Sequence, residues 1–208
     1  LLKALNGKAN AQVVQINGDP TDNNATLFKA GAHSVLDSAV QIKKEYDTPM
    51  WSPDNAQKEM TQALTALQNH VDGVLAANDG TAGGAIAAMK AAGVNPLPPI
   101  TGQDAELAAI QRIVLGTQTM TVYKAIVPEA EKAAELACDL ATGKSVPADM
   151  TGGKTTDNKS GQIPSILLTP VAVDKSNVMT TVVADKFWLA TDICTAEFAA
   201  ACTAAGVK

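Results

Sequence analysis

A chain of 208 residues with 46% hydrophobic composition is long enough for one well-packed domain and a remainder. Its formal net charge of −5 and its pI near 5.0 leave no basic surface to neutralise phosphates, so nucleic acid is excluded as the expected partner. No apolar run is long enough to span a membrane. The chain begins LLKALNGKAN, without an initiating Met or a leader pattern, and reads as processed, truncated or internally started.

The elements follow one rhythm, a short β-branched run and then a longer helical pattern, which is the signature of βαβ units and a parallel sheet. AQVVQING reads as the first strand and NATLFKAGAHSVLDS as the first helix. VQIKKEY is the second strand, followed by a helix from about Asp54 to His70. GVLAAN leads into TAGGAIAAMKAAG, PPITGQ into AELAAIQRIVLG, and TQTMTVYK into PEAEKAAELACDLATG. From Lys144 to Ser165 the pattern dissolves into a Gly-, Thr-, Asp- and Lys-rich stretch that reads as an exposed loop. ILLTPVAV reads as a strand carrying Pro170, and the apolar tail after it has no obvious partner in the preceding units. The expected division is therefore an α/β lobe over 1–168 and, over 169–208, a crossing and tail that belong to a second domain.

Ligands of open parallel sheets bind beyond the carboxyl ends of the strands, which directs attention to the residues just after each strand. These are GDPTDNN, DTPMW, NDG, QDAE and Lys124. Amides and carboxylates engage hydroxyl pairs and a Trp face covers the C–H face of a pyranose, so the set suits a neutral polyol. It suits catalysis poorly: no GxSxG follows a strand, and His33 and His70 fall within predicted helices. No clustered metal ligands or P-loop occur, so neither a metal nor any other cofactor is expected.

Three cysteines allow one disulfide at most. Cys194 and Cys202 are the candidate pair, since a bent segment over 195–201 brings their Cα atoms within bridging range and an oxidised pair suits a secreted chain; two buried thiols are the alternative. Cys138, on an alanine-rich helical face, is expected in the core.

The blocks GDPTDNNATLFKAG, WSPDNA, AANDGTAGGAIAAMKAAG, TGQDAELAAIQRIVLGTQTMTVYK and PSILLTPVAVDKSNV resemble, in order, the xylose-binding branch of bacterial periplasmic sugar-binding proteins over residues 11 to 185. The resemblance implies a Rossmann-like lobe of a type I periplasmic-binding-protein clamshell, namely the C-terminal lobe with its tail, whose opposing N-terminal lobe is mostly absent. It implies a monosaccharide ligand such as D-xylose, an extracytoplasmic location in the periplasm or lipid-anchored at the outer face of the membrane, delivery to a membrane ABC permease, and no catalysis. The family's sugar contacts carry over onto Asn24, Trp51, Asn78, Asp104 and Lys124, the same strand tips that sheet geometry selects.

Trp51 would stack on the ring. Asp104 would accept from two adjacent hydroxyls, or serve as N-cap of the helix it precedes. Asn24 and Asn78 both donate and accept, although Asn is also a turn residue. Lys124 would donate to a ring or hydroxyl oxygen, and Asp79 reads as a helix N-cap. EYDTPM, before Trp51, departs from relatives that carry a further tryptophan, which leaves the choice of sugar open. The effector-sensing core of a sugar-responsive transcription regulator is the alternative reading, and it requires a helix-turn-helix before residue 1. An enzyme on a doubly wound fold is the third.

Overall fold

The computed structural model describes all 208 residues, which separate into two compact units, 1–123 with 172–208 and 124–171. In the first unit a helical turn α1 (Leu2–Leu5) precedes strand β1 (Gln12–Asn17), helix α2 (Asn23–Leu36), strand β2 (Gln41–Asp47), helix α3 (Pro53–Ala66), strand β3 (Gly73–Ala76), helix α4 (Asp79–Ala91), helix α5 (Leu107–Leu115) and strand β4 (Met120–Tyr123). β1 lies between β2 and β3 and pairs with both in parallel.

PPITGQ forms only one parallel bridge, Val74 with Ile100. It nevertheless extends the sheet, because Thr101 N donates to Val74 O while Thr119 N and Val122 N donate to Ile100 O and Gly102 O, advancing in the same direction along both segments. The carboxyl ends of these strands therefore share one edge.

β1 is buried along nearly its whole length, with Val13 and Ala11 against Leu5 on one face and Val14 and Ile16 against α3 and α4 on the other. The larger core holds Ile16, Met60 and Met89, all fully buried, each stabilising the fold by roughly 1.5–3 kcal/mol relative to exposure. Edge strand β2 alternates between exposed and half-buried residues, as expected where only one face is covered. The α3–α4 contact is close enough that a Cβ on Gly84 would lie 2.1 Å from the Pro53 carbonyl oxygen.

Caps set the helix starts. Asp22 accepts from Asn24 N at α2, Ser52 accepts from Asn55 N at α3 with Pro53 at its first position, and Asn78 forms a reciprocal capping box with Thr81 at α4. Helix α3 stops at Ala66, short of His70, which lies outside any helix: Gln68 and Asn69 both take left-handed conformations that a helix cannot continue through. His33 does lie in α2.

The second unit consists of helix α6 (Ile126–Ala141), the turn α7 (Ala148–Thr151) and an antiparallel hairpin of β5 (Thr155–Asp157) and β6 (Gln162–Pro164) within the stretch expected to be an exposed loop. No residue of α6 is buried, and Cys138 is exposed, not in the core as its alanine-rich surroundings suggested. Only strand β7 (Val171–Asp174) forms from ILLTPVAV, and it begins just after Pro170, which has no N–H to donate.

β7 pairs with β4, returning the chain to the first unit. A π-helical turn (Met179–Val183) and helices α8 (Ala190–Ile193) and α9 (Ala199–Ala205) follow, the two helices packing on α5 and burying Ile193 and Cys202. Cys194 and Cys202 are bonded, with Cα atoms 5.8 Å apart. The tail expected to lack a partner thus packs on the first unit, and the observed division falls at 123/124 and 171/172 instead of 168/169.

Candidate functional site

The carboxyl edge of the sheet carries four of the five candidate residues. β1 ends in Asn17, whose Nδ2 donates to Glu45 and Asp47 of the adjacent strand, and the chain then turns through Gly18. Here the absence of a side chain is what lets Trp51 take this seat, since a Cβ on Gly18 would lie 2.0 Å from the Trp51 ring. The indole packs directly on this backbone. It also meets Phe28 edge-on at 6.4 Å, and its Nε1 donates to Asp22 at 3.2 Å.

Trp51 and the preceding Met50 both take left-handed conformations, with φ of 53° and 57°. Asp19 holds them there by accepting from Met50 N, while its other oxygen accepts from Thr21. The hydrogen bonds from Thr21, with that from Met50, lower the Asp19 pKa and keep its carboxylate ionised. Asp22 accepts from Asn24 N and from the Trp51 indole together, so one carboxylate links two candidate residues. Asn24 is exposed in the first turn of α2.

Asn78 is half-buried at the N-terminus of α4, and its Oδ1 accepts from Thr81 N and Thr81 Oγ1. The cap uses the oxygen, so the Nδ2 group is the one available for a ligand. Asp79 is not the N-cap. It is the first residue of α4, fully buried, and its carboxylate accepts from Gln118, Thr121 and the Glu106 backbone. Burial raises its pKa to about 6 against the opposing effect of these hydrogen bonds.

Asp104 does not cap α5 either. The N-cap position is Glu106, and Asp104 instead has φ of 97° at the turn that leaves the extended segment beside β3. Its N–H donates to Val122 O, and Asp79 N donates to Gln103 O, which fixes the Asn78 and Asp104 tips side by side. Lys124 is the first residue of the second unit, where it lines a hollow of about 230 Å³ with Ala125, Glu129 and residues 166–170.

The edge thus presents an aromatic face, amides and a carboxylate, with no nucleophile set against a base. Both imidazoles lie elsewhere: His33 is engaged by Asp37 and Glu45, and His70 rests against the Leu67 carbonyl. Three supporting residues were not singled out from the sequence, namely Gly18, Asp19 and Asp22. The run GDPTDNN, with two acids and a glycine at one strand tip, is the signal that contained them.

Residues 1–145 match the model of the periplasmic binding protein domain. The chain is 47% identical over 175 residues to the D-xylose-binding periplasmic protein of Escherichia coli, an alignment covering 82% of this chain and 52% of that protein. It is 36% identical over 188 residues to the multiple sugar-binding periplasmic receptor ChvE of Rhizobium radiobacter, again over 82% and 52%. Among solved structures, an ABC transporter solute-binding protein from Clostridium phytofermentans with bound β-D-glucose superposes with a TM-score of 0.80 at 26% identity, covering 92% of this chain and 66% of that one. A carbohydrate transporter solute-binding protein from Chloroflexus aurantiacus in complex with D-glucose gives the same score and identity. The chain spans about half the length of the curated relatives it matches. With its parallel sheet and flanking helices, it has the α/β fold of a type I periplasmic binding protein lobe and belongs to the periplasmic binding protein family.

Proposed function

We propose that the chain is the sugar-binding lobe of an extracytoplasmic solute-binding protein that presents a monosaccharide to a membrane ABC permease, and that its ligand is an aldopentose such as D-xylose. The observation that carries this reading is the aromatic and polar edge itself: Trp51, pinned across Gly18 and tied through Asp22 to Asn24, beside Asn78 and Asp104. A pyranose has an apolar C–H face and a rim of hydroxyls. It is matched by one indole plane and by groups that donate and accept in pairs. Nothing on this edge activates a nucleophile, which favours binding and release over turnover. The relatives named for D-xylose and for multiple sugars support the ligand class.

In this reading Lys124 supplies the remaining polar contact. The bound sugar is completed by an opposing lobe, because one lobe alone leaves half of the sugar surface in water. The second unit suits that arrangement: α6 buries none of its residues and exposes Ile126, Val127 and Leu140, apolar surface that fits packing against further chain.

Titration of D-xylose and a panel of pentoses and hexoses into the native-length protein tests the proposal. Saturable calorimetric binding with a change in tryptophan fluorescence is expected, and Trp51→Ala should remove both. A panel without response would overturn the reading.

A further inference from the structure

Asp104 and Ala105 are consecutive non-glycine residues with φ of 97° and 52°, a conformation that L side chains rarely adopt and that persists only when its surroundings enforce it. The enforcement is visible. Gln103 O accepts from Asp79 N, Asp104 N donates to Val122 O, Ala105 N donates to Thr121 Oγ1 at 3.1 Å, and Glu106 N donates to Asp79 Oδ2 at 2.9 Å. Thr121 Oγ1 itself donates to Asp79 Oδ2 at 2.8 Å, and Trp188 Nε1, from the tail, donates to Ala105 O at 2.7 Å. The turn is thereby held by backbone bonds to Asp79 and Val122, by the Asp79 carboxylate directly at Glu106 N and through Thr121 at Ala105 N, and by an indole of the disulfide-linked tail at Ala105 O.

We infer that Asp79 and Trp188 are positioning residues for sugar binding, which act by locking the Asp104–Ala105 turn so that the Asp104 carboxylate meets the ligand in one fixed geometry. The inference rests on the reading of Asp104 as a sugar contact.

An amide is a poor replacement for the Asp79 carboxylate, which accepts at both oxygens. Its Oδ1 accepts from Gln118 Nε2 at 2.7 Å, and the Gln118 amide cannot turn over, because its oxygen accepts from Arg112 Nε and its nitrogen also donates to Met120 O. An amide at position 79 would set its NH₂ against that of Gln118 in one orientation and against the Glu106 N–H in the other. The fold also makes room for this group, since a Cβ on Gly102 would lie 2.0 Å from Asp79 Oδ1. Trp188 is fixed in turn. It packs edge-on against Phe187, which packs on Tyr123, and the Tyr123 hydroxyl donates to Asp185.

The test measures sugar affinity of the native-length protein by calorimetry, with D-xylose first and the responsive sugar of the panel otherwise. Four changes are made singly, Asp79→Asn, Trp188→Phe, Thr121→Val and Thr121→Ser, and each is repeated in an Asp104→Ala background. Asp79→Asn and Thr121→Val are expected to weaken binding about tenfold or more and Trp188→Phe severalfold. Thr121→Ser, which keeps the hydroxyl, should bind as the unaltered protein does. All these losses should vanish in the Asp104→Ala background.

Losses that persist there, or a Thr121→Val protein that binds normally, would overturn the inference while leaving the sugar-binding function intact. Should Asp79→Asn not fold, the Thr121 and Trp188 variants carry the same decision. A sugar that binds equally well after Asp104→Ala removes Asp104 from the site and the inference with it.

Discussion

Two titrating side chains give the lobe separable pH signatures. Asp79 has a folded pKa raised by burial to about 6 from an ordinary 3.8, so its contribution is most favourable below the ordinary value and is lost as pH rises through about 6. The shift corresponds to a cost on the order of 3 kcal/mol at pH 7 relative to pH 4, since each pKa unit is worth about 1.4 kcal/mol. Glu106 opposes ionisation and the nearby Arg112 guanidinium, itself partly desolvated, favours it. Denaturant unfolding of the unaltered protein and of Asp79→Asn at pH 4, 5, 6 and 7 should show their stability difference moving against the unaltered protein across that range. A constant difference would mean that the carboxyl does not titrate there. His33 also has a raised pKa, from its hydrogen bonds to Asp37 and Glu45, but its stabilisation is present below 6.5 and lost at higher pH. The difference between the unaltered protein and His33→Gln, followed from pH 6.5 to 8, therefore reports on that exposed cluster.

At the scale of elements, the glycines at two close approaches carry sharper expectations than any single polar contact. A side chain on Gly84 would meet the Pro53 carbonyl, which belongs to backbone that cannot yield, so Gly84→Ala should separate α3 from α4 and lower stability by about 1–3 kcal/mol. A thermal melt suffices to check it. Gly18→Ala meets an aromatic ring instead. That ring can move, and the expected outcome is near-normal stability with loss of sugar affinity as Trp51 is displaced; retained affinity would mean that the indole does not need its seat on the β1 tip.

The strands and helices up to Tyr123 were legible because period and punctuation agree there, with buried β1 reading as an apolar run and caps standing at Asp22, Ser52 and Asn78. The caps nearest the candidate site are not legible in the sequence, for a physical reason. Asn78 and Asp79 are adjacent and both able to cap, and only the three donors arriving from Glu106, Gln118 and Thr121 show which one is needed elsewhere. Asp104 likewise precedes a helix, yet its positive φ removes it from the cap position. Cys138 lies on a helix whose apolar pattern is real but uncovered, and pattern alone does not report cover.

The whole molecule is set by the return of the tail to the first unit, which no local pattern announced. The return rests on the β4–β7 pairing, on burial of Val182, Ile193 and Val207, and on hydrogen bonds from Gln111 to the carbonyls of Asp192 and Ile193. The Cys194–Cys202 bridge closes a short loop between α8 and α9 and removes chain entropy from the unfolded state worth roughly 2 kcal/mol. Reduction should therefore lower the melting temperature by several degrees and loosen the segment that carries Trp188. Hydrogen exchange resolves this from a general loss of stability. After reduction, protection should fall first at 185–205 and at the 103–106 turn, while β1 and α4 keep theirs. Uniform loss across the lobe, or an unchanged 103–106 turn, would show that the tail and the candidate site are energetically independent.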